Sequence, residues 1–192
     1  ISTQPFARRR ELLEGIELPA GLHLTPITDD PAIAREWFSL FEGAGLDGVV
    51  CKPADAPYTP GKRTMLKVKH IRTADVVVAA WRPYKNTAPD GSEMVGALLL
   101  GLYDEAGVLH NVGAAGAFSR ETRIALAKEL SSIEVGPDDD HPWKLAGEGQ
   151  RVPGMQSRWT GKKDMGFHPT RPILVAEVKY DHMQGDRFRH VA

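Results

Sequence analysis

The spacing of apolar residues divides the chain into a helical first third and a strand-rich remainder. Phe6, Leu12 and Leu13 flank the basic run Arg8-Arg9-Arg10, with Pro5 suiting the first helical turn and Gly15 the stop, and this predicts a short helix. Residues 22–27 read as a strand. Asp29 or Asp30 then caps a second helix, with Pro31 at its first position and Ile33, Trp37, Phe38 and Phe41 on its buried side. Val49, Val50 and Cys51 form an apolar run suited to a buried strand, in which Cys51 is a packed thiol. Leu66, Lys67, Val68 and Lys69 alternate strictly, so both lysines share one strand face. Pro53, Pro57 and Pro60 keep the stretch between these two strands a loop.

Beyond residue 70 the pattern predicts strands over 75–81, 94–103 and 108–112, with turn residues at 86–91 and 104–107. Ser119 suits the N-cap of a helix whose apolar side is Ile124, Leu126, Ala127 and Leu130. Residues 136–166 are polar and rich in Gly and Pro, an irregular excursion, and strands over 173–180 and 187–190 complete the set. Three strands, a helix and two strands suit a five-stranded OB-fold β-barrel. The expected class is therefore α+β, with domains at 1–72 and 73–192.

Composition narrows the field without naming a function. A formal net charge of −1 with 26% charged and 42% hydrophobic residues is ordinary for a globular chain, so any nucleic-acid surface must be local. One cysteine excludes an internal disulfide and fits a reducing cytoplasm. The longest apolar runs are too short to span a bilayer, and no signal or targeting segment is legible, so no membrane partner is expected. The start at Ile1 rather than Met points to residues upstream.

The chemistry concentrates between Asp47 and Lys69. Lys52, Lys62, Arg63, Lys67 and Lys69 set several cations beside the Asp47 carboxylate, which suits a polyphosphate better than a neutral metabolite. Taken by spacing alone, such lysines also fit solubilising positions on an exposed strand edge, with Gly48 marking a bulge or a close approach. The identities add more. Asp47-Gly48-Val49-Val50-Cys51-Lys52 resembles motif IV (Glu-Gly-Val-Val-x-Lys) of ATP-dependent DNA ligases, and Lys67-Val68-Lys69 resembles their motif V (Lys-x-Lys). The lead Tyr58-Thr59-Pro60-Gly61-Lys62-Arg63 looks like that of the small bacterial LigC-type enzymes.

The resemblance implies the last part of a nucleotidyltransferase domain followed by an OB domain. It also implies ATP and Mg2+ (or Mn2+) as cofactors and nicked double-stranded DNA as partner. Lys67 and Lys69 would contact the nucleotide phosphates, Lys52 would add charge nearby, and Asp47 would help hold the metal. Arg63 is a further candidate for the same phosphates. Asp47 departs from the usual Glu by one methylene. The nucleophilic motif Lys-x-Asp-Gly is headed by no lysine of this chain; Lys162-Lys163-Asp164-Met165 and Lys179-Tyr180-Asp181-His182 lack its glycine and follow motifs IV and V. Arg187-Phe188-Arg189-His190 resembles the segment leading into the closing motif VI. The missing N-terminal part of the same enzyme is thus an expected partner, and this chain alone is expected not to adenylylate itself.

Lys62, Arg72, Arg82, Arg187 and Arg189 are the candidates for contact with the DNA backbone, as are Lys162 and Lys163. Trp81 is a core residue or a stacking platform. Asp138-Asp139-Asp140-His141 reads as a solvated acidic loop, since nothing fixes a metal geometry there. The alternatives are a stand-alone OB module that binds nucleic acid without catalysis, and an RNA ligase or capping-type nucleotidyltransferase.

Overall fold

In the computed structural model the chain forms two compact units, Ile1–His70 and Ile71–Ala192. The structure describes residues 1–42, 44–144, 147–154, 166–190 and 192.

The first unit holds helices α1 (Phe6–Glu14) and α2 (Pro31–Leu40) and the antiparallel pair β1 (Gly48–Cys51) and β2 (Leu66–Lys69). Pro5 stands at the N-cap of α1, one position ahead of the first turn, and Arg8–Glu11 and Arg10–Glu14 pairs at 2.6 Å run along the helix surface. Asp30 caps α2 by accepting from the Ala32 N–H at 2.7 Å, with Pro31 fitting the donor-free first position.

Three expectations fail in this unit. Residues 22–27 form no strand: Pro26 has no N–H to give, and the Thr25 carbonyl accepts from the Arg10 guanidinium at 2.9 Å instead of a neighbouring strand. The Val49-Val50-Cys51 run is not buried, and the Cys51 thiol is exposed. On α2, Trp37, Phe38 and Phe41 are half-buried while Ile33 is exposed. None of the described residues of this unit is buried, so its apolar faces lack a covering layer within the unit.

The second unit contains β3 (Arg72–Pro83), β4 (Val95–Tyr103), β5 (Leu109–Ala115), α3 (Arg120–Ser131), β6 (His168–Tyr180), β7 (Met183–Gln184) and β8 (Arg187–Phe188). Strands β3 to β6 make one antiparallel sheet in the order β5-β4-β3-β6, and β7 with β8 makes a separate hairpin. Strand β6 begins at His168 rather than Ile173, despite Pro169 and Pro172, because it lies at the sheet edge, where proline is tolerated. The last strand is shorter than expected, ending at Phe188.

The sheet is covered on both faces. One core gathers Val76, Val78, Trp81, Leu98, Leu100 and Phe188 with Leu130 of α3. The other gathers Ala79, Ala80, Leu99 and Leu109 with Trp143. Ser119 caps α3 by accepting from the Thr122 N–H, and the Arg123 side chain anchors the helix by donating to the carbonyls of Val95, Gly96 and Gly116 at 2.6–2.8 Å. Trp81 is a core residue, 3% exposed, with its ring stacked 4.3 Å from that of His168. His168 in turn lies between two carboxylates, Glu93 at 3.1 Å and Glu134 at 2.6 Å, and so ties the start of β6 to two neighbouring segments.

The acidic stretch at 138–141 is a closed turn rather than a metal cluster. Asp139 accepts from the Gly136 N–H, and the Lys144 ammonium donates to the carbonyls of Gly136, Pro137 and Asp139. His141, only 2% exposed, belongs to the core. Strand β3 bulges between Val78 and Ala80, and the Ala79 carbonyl freed there accepts from His141 Nε2 at 3.0 Å. The Thr170 carbonyl lies 3.1 Å from the same nitrogen, while Nδ1 accepts from the Trp143 N–H at 3.1 Å. These roles require the neutral ring protonated at Nε2. Burial lowers the His141 pKa below its ordinary 6.5, outweighing the two carbonyls that favour the charged form. The folded state therefore disfavours protonation, and the stabilisation is complete above the unfolded value and shrinks as pH falls below it. Thermal melting at stepped pH is expected to show a fall in Tm from pH 7.5 to 5 that is shallower in His141→Gln. Equal slopes in the two proteins would contradict this role.

Candidate phosphate-binding surfaces

In the first unit, register places the candidate residues of β1 and β2 with little freedom. Gly48 pairs with Lys69, Val49 with Val68, Val50 with Lys67 and Cys51 with Leu66. Directly opposed residues share a face, so Lys67 and Lys69 project together beside Val50 and the bare backbone of Gly48. That backbone is pressed against its partner. Gly48 has φ +146°, and a Cβ placed there would come within 2.0 Å of the Val68 carbonyl oxygen. Glycine is required at this position by contact, beyond any freedom of the turn.

Asp47, one residue ahead of β1, lies with Oδ2 3.9 Å from Lys69 Nζ, and both side chains are about 40% exposed. At that exposure the pair contributes little to stability. The end of β2 is fixed by His70, whose Nε2 lies 2.8 Å from the Phe38 carbonyl and whose ring stacks on Phe38 at 3.7 Å. Thus α2 sets the height of the lysine strand. Lys52 is held over the Phe6 ring of α1 at 5.0 Å, and the Phe6 N–H donates to the Ala56 carbonyl, tying α1 to the loop that follows Lys52. Lys62 and Arg63 lie exposed at the turn around Gly61 (φ +75°), with no ion pair among the described residues. The unit therefore brings Asp47, Lys67 and Lys69 together, holds Lys52 at the strand end, and leaves Lys62 and Arg63 on an open loop.

A divalent metal would find one carboxylate here. Among the described residues no three His, Cys, Asp or Glu side chains converge to hold an ion. That donor set does not make a protein-only metal cage. It does fit Mg2+, which keeps several waters and takes one or two carboxylates together with substrate phosphates.

The second unit separates its candidates into two places. Arg72 starts β3 and donates to the Asp181 carbonyl at 3.3 Å. Arg82 lies ten residues further along the same strand, roughly 30 Å away. Arg82, Arg187 and Arg189 instead line one groove beside β5, together with Arg151, which the sequence did not single out. Phe188, between the last two candidates, is buried and stacks on Tyr180 at 5.0 Å, which turns its flanking arginines outward. Burial lowers the pKa of the Arg82 guanidinium, and its Nε has no hydrogen-bond partner among the described residues. Trp143 donates its indole N–H to the Leu109 carbonyl and is structural. Lys179 is exposed on β6 opposite Thr73; Lys162 and Lys163 lie outside the described residues.

Comparison with known proteins gives the same order of parts. Residues 1–69 match the family described as ATP dependent DNA ligase domain, and residues 91–192 match ATP dependent DNA ligase C terminal region. The chain is 50% identical over 197 residues to DNA ligase C2 of Mycolicibacterium smegmatis, covering 98% of this chain and 54% of that protein. It is 49% identical over 199 residues to DNA ligase C of Mycobacterium tuberculosis, again covering 98% of this chain and 54% of the relative. The solved ligase domain of M. tuberculosis LigD matches at 27% identity over 98% of this chain and 55% of that one, with a TM-score of 0.45. The chain spans about half the length of the curated relatives it matches. With residues 1–69 and 91–192 matched to ligase regions in that order, the chain belongs to the ATP-dependent DNA ligase family.

Proposed function

We propose that this chain is the later part of a LigC-type ATP-dependent DNA ligase, comprising the end of the nucleotidyltransferase domain (1–72) and an OB-fold domain (73–192). The observation that carries this is the β1–β2 pair, in which Lys67 and Lys69 share a face and Asp47 stands 3.9 Å from Lys69. In the proposed reaction a lysine outside this chain attacks the α-phosphate of ATP and expels pyrophosphate, the AMP passes to the 5′-phosphate at a nick, and the 3′-hydroxyl attacks that phosphate and releases AMP. Each step places extra negative charge on non-bridging oxygens, and fixed cations on a rigid strand pair stabilise it without reorganising. Lys67 and Lys69 take that role, Lys52 supplements it, and Arg63 reaches the same phosphates from the loop. A divalent ion shared between Asp47 and the phosphates would add Lewis-acid polarisation.

The missing N-terminal part is the covering layer for the first unit. Its support is the absence of any buried residue among those described there, together with the half-length match to the relatives. In the second unit, the four-stranded sheet with α3 and the β7–β8 hairpin supports an OB arrangement whose arginines contact the DNA backbone, while Arg72 and Lys62 contact it from other places. No helix among the described residues is long and apolar enough to cross a membrane. The complete protein, given ATP, Mg2+ and matched nicked duplexes, is expected to seal the DNA nick in preference to the RNA one. Tight binding to nicked DNA without sealing would favour a binding module, and preferential RNA sealing would favour an RNA ligase.

A further inference from the structure

The groove beside β5 has a volume of about 570 Å³ and carries Arg82, Arg151, Arg187, Arg189 and His190 on its walls. Two guanidinium nitrogens of those walls, Arg82 Nε and Arg151 Nη1, are buried with no hydrogen-bond partner among the described residues. A buried charged donor left unpaired is costly, and an anion that reaches it gains a charge-assisted hydrogen bond. The other side of the Arg151 fork is occupied. Its Nη2 lies 2.6 Å from Asp186 Oδ1, and the Asp186 side chain is 66% exposed at the turn of the β7–β8 hairpin. The Arg151 bond holds the Asp186 carboxyl below the usual carboxylate range, as an anion within reach of the groove. His190 is also next to a carboxylate, Asp181 at 3.5 Å.

We propose that Arg82 and Arg151 form the seat for one backbone phosphate of the DNA duplex, and that Asp186 is the internal anion this phosphate displaces from Arg151. The proposal rests on the DNA-binding role given to this unit above and deepens it by naming a gripping pair and its competitor. A planar guanidinium fork matches two phosphate oxygens as it matches a carboxylate, so the exchange keeps its geometry. Arg187 and Arg189, exposed on either side of buried Phe188, extend the positive wall along which the strand would run.

The test is fluorescence anisotropy of a labelled nicked duplex titrated with the full chain at several salt concentrations. Wild type is compared with Arg151→Gln, Asp186→Asn and the double variant. Asp186→Asn is expected to tighten binding several-fold, and Arg151→Gln to weaken it about ten-fold and reduce the salt slope by about one. The double variant should show no gain from Asp186→Asn, because the gain requires the freed Arg151. An equal gain in both backgrounds would mean that Asp186 acts only as surface charge, and the proposal fails. It also fails if wild type binds while Arg151→Gln changes nothing. Absence of wild-type binding would instead defeat the DNA-binding role itself and the seat with it. Sodium triphosphate should compete no better than plain salt of equal ionic strength; potent competition lost in Arg151→Gln would assign the seat to a nucleotide and overturn the duplex assignment. Melting curves confirm that each variant is folded, and Arg151→Lys, which keeps the charge but loses the fork, should recover only part of the affinity.

Discussion

Replacing Lys67 by alanine in the complete ligase is expected to lower the rate of enzyme adenylylation by about 10²- to 10³-fold, the usual effect of removing one fixed donor from developing oxyanion charge. Lys67 projects from the middle of a register-locked pair, opposite Val50, and has no ion-pair partner among the described residues. Its charge is therefore uncommitted among the described residues and fixed in direction by the strand. Lys69→Ala should fall in the same range and also free Asp47, which lies 3.9 Å away. Arginine at position 67 should restore only part of the rate, because a planar fork does not reproduce the compact charge of an ammonium. Lys62→Ala, on the open loop, should change adenylylation by no more than a few-fold. Single-turnover transfer of labelled AMP to the protein measures all four variants. A Lys67→Ala enzyme with an undiminished rate would remove β2 from the site.

The second large effect is expected at a residue with no side chain. Gly48→Ala puts a methyl group where the Val68 carbonyl oxygen would be 2.0 Å away, at a φ of +146° that alanine avoids. Backbone must move, and the pair that moves carries Asp47 at one end and both lysines opposite. A cost of about 3 kcal/mol is expected, from a forced close contact added to an unfavourable dihedral. Gly61 provides the control. It also has positive φ, +75°, but nothing lies within 4 Å of a Cβ there, so Gly61→Ala should cost about 1 kcal/mol for its left-handed backbone alone. Thermal melting and adenylylation of the complete protein distinguish the two. Equal effects would mean that the contact at Gly48 relaxes freely.

How much of this was legible before the structure depends on whether a residue's role is local. The lysine face of β2 follows from period-two alternation, and the caps at Asp30 and Ser119 follow from side-chain chemistry within three residues. The failures lie where the partner is distant or where the described residues of the unit supply none. Residues 22–27 had the right composition for a strand but no neighbour to pair with, and Cys51 looked buried because its run is apolar although nothing in its unit covers it. The early start of β6 was hidden by Pro169 and Pro172, which only the edge position excuses. His141 looked like part of an acidic loop because the bulge carbonyl it satisfies lies 62 residues away. Arg151 offered no sequence signal, since its meaning comes from Arg82 and Asp186 across the groove. The spatial separation of Arg72 from Arg82 was equally invisible, although both lie on one strand.

The central claim is that this chain supplies the phosphate-contacting strands and a DNA-binding unit while the nucleophile lies elsewhere in the enzyme. The most direct test is incubation of the purified chain with labelled ATP and Mg2+, followed by a denaturing gel. No labelled protein band is expected from this chain, and a band is expected from the complete ligase. A covalent label on this chain alone would place a nucleophilic lysine within it and contradict the account.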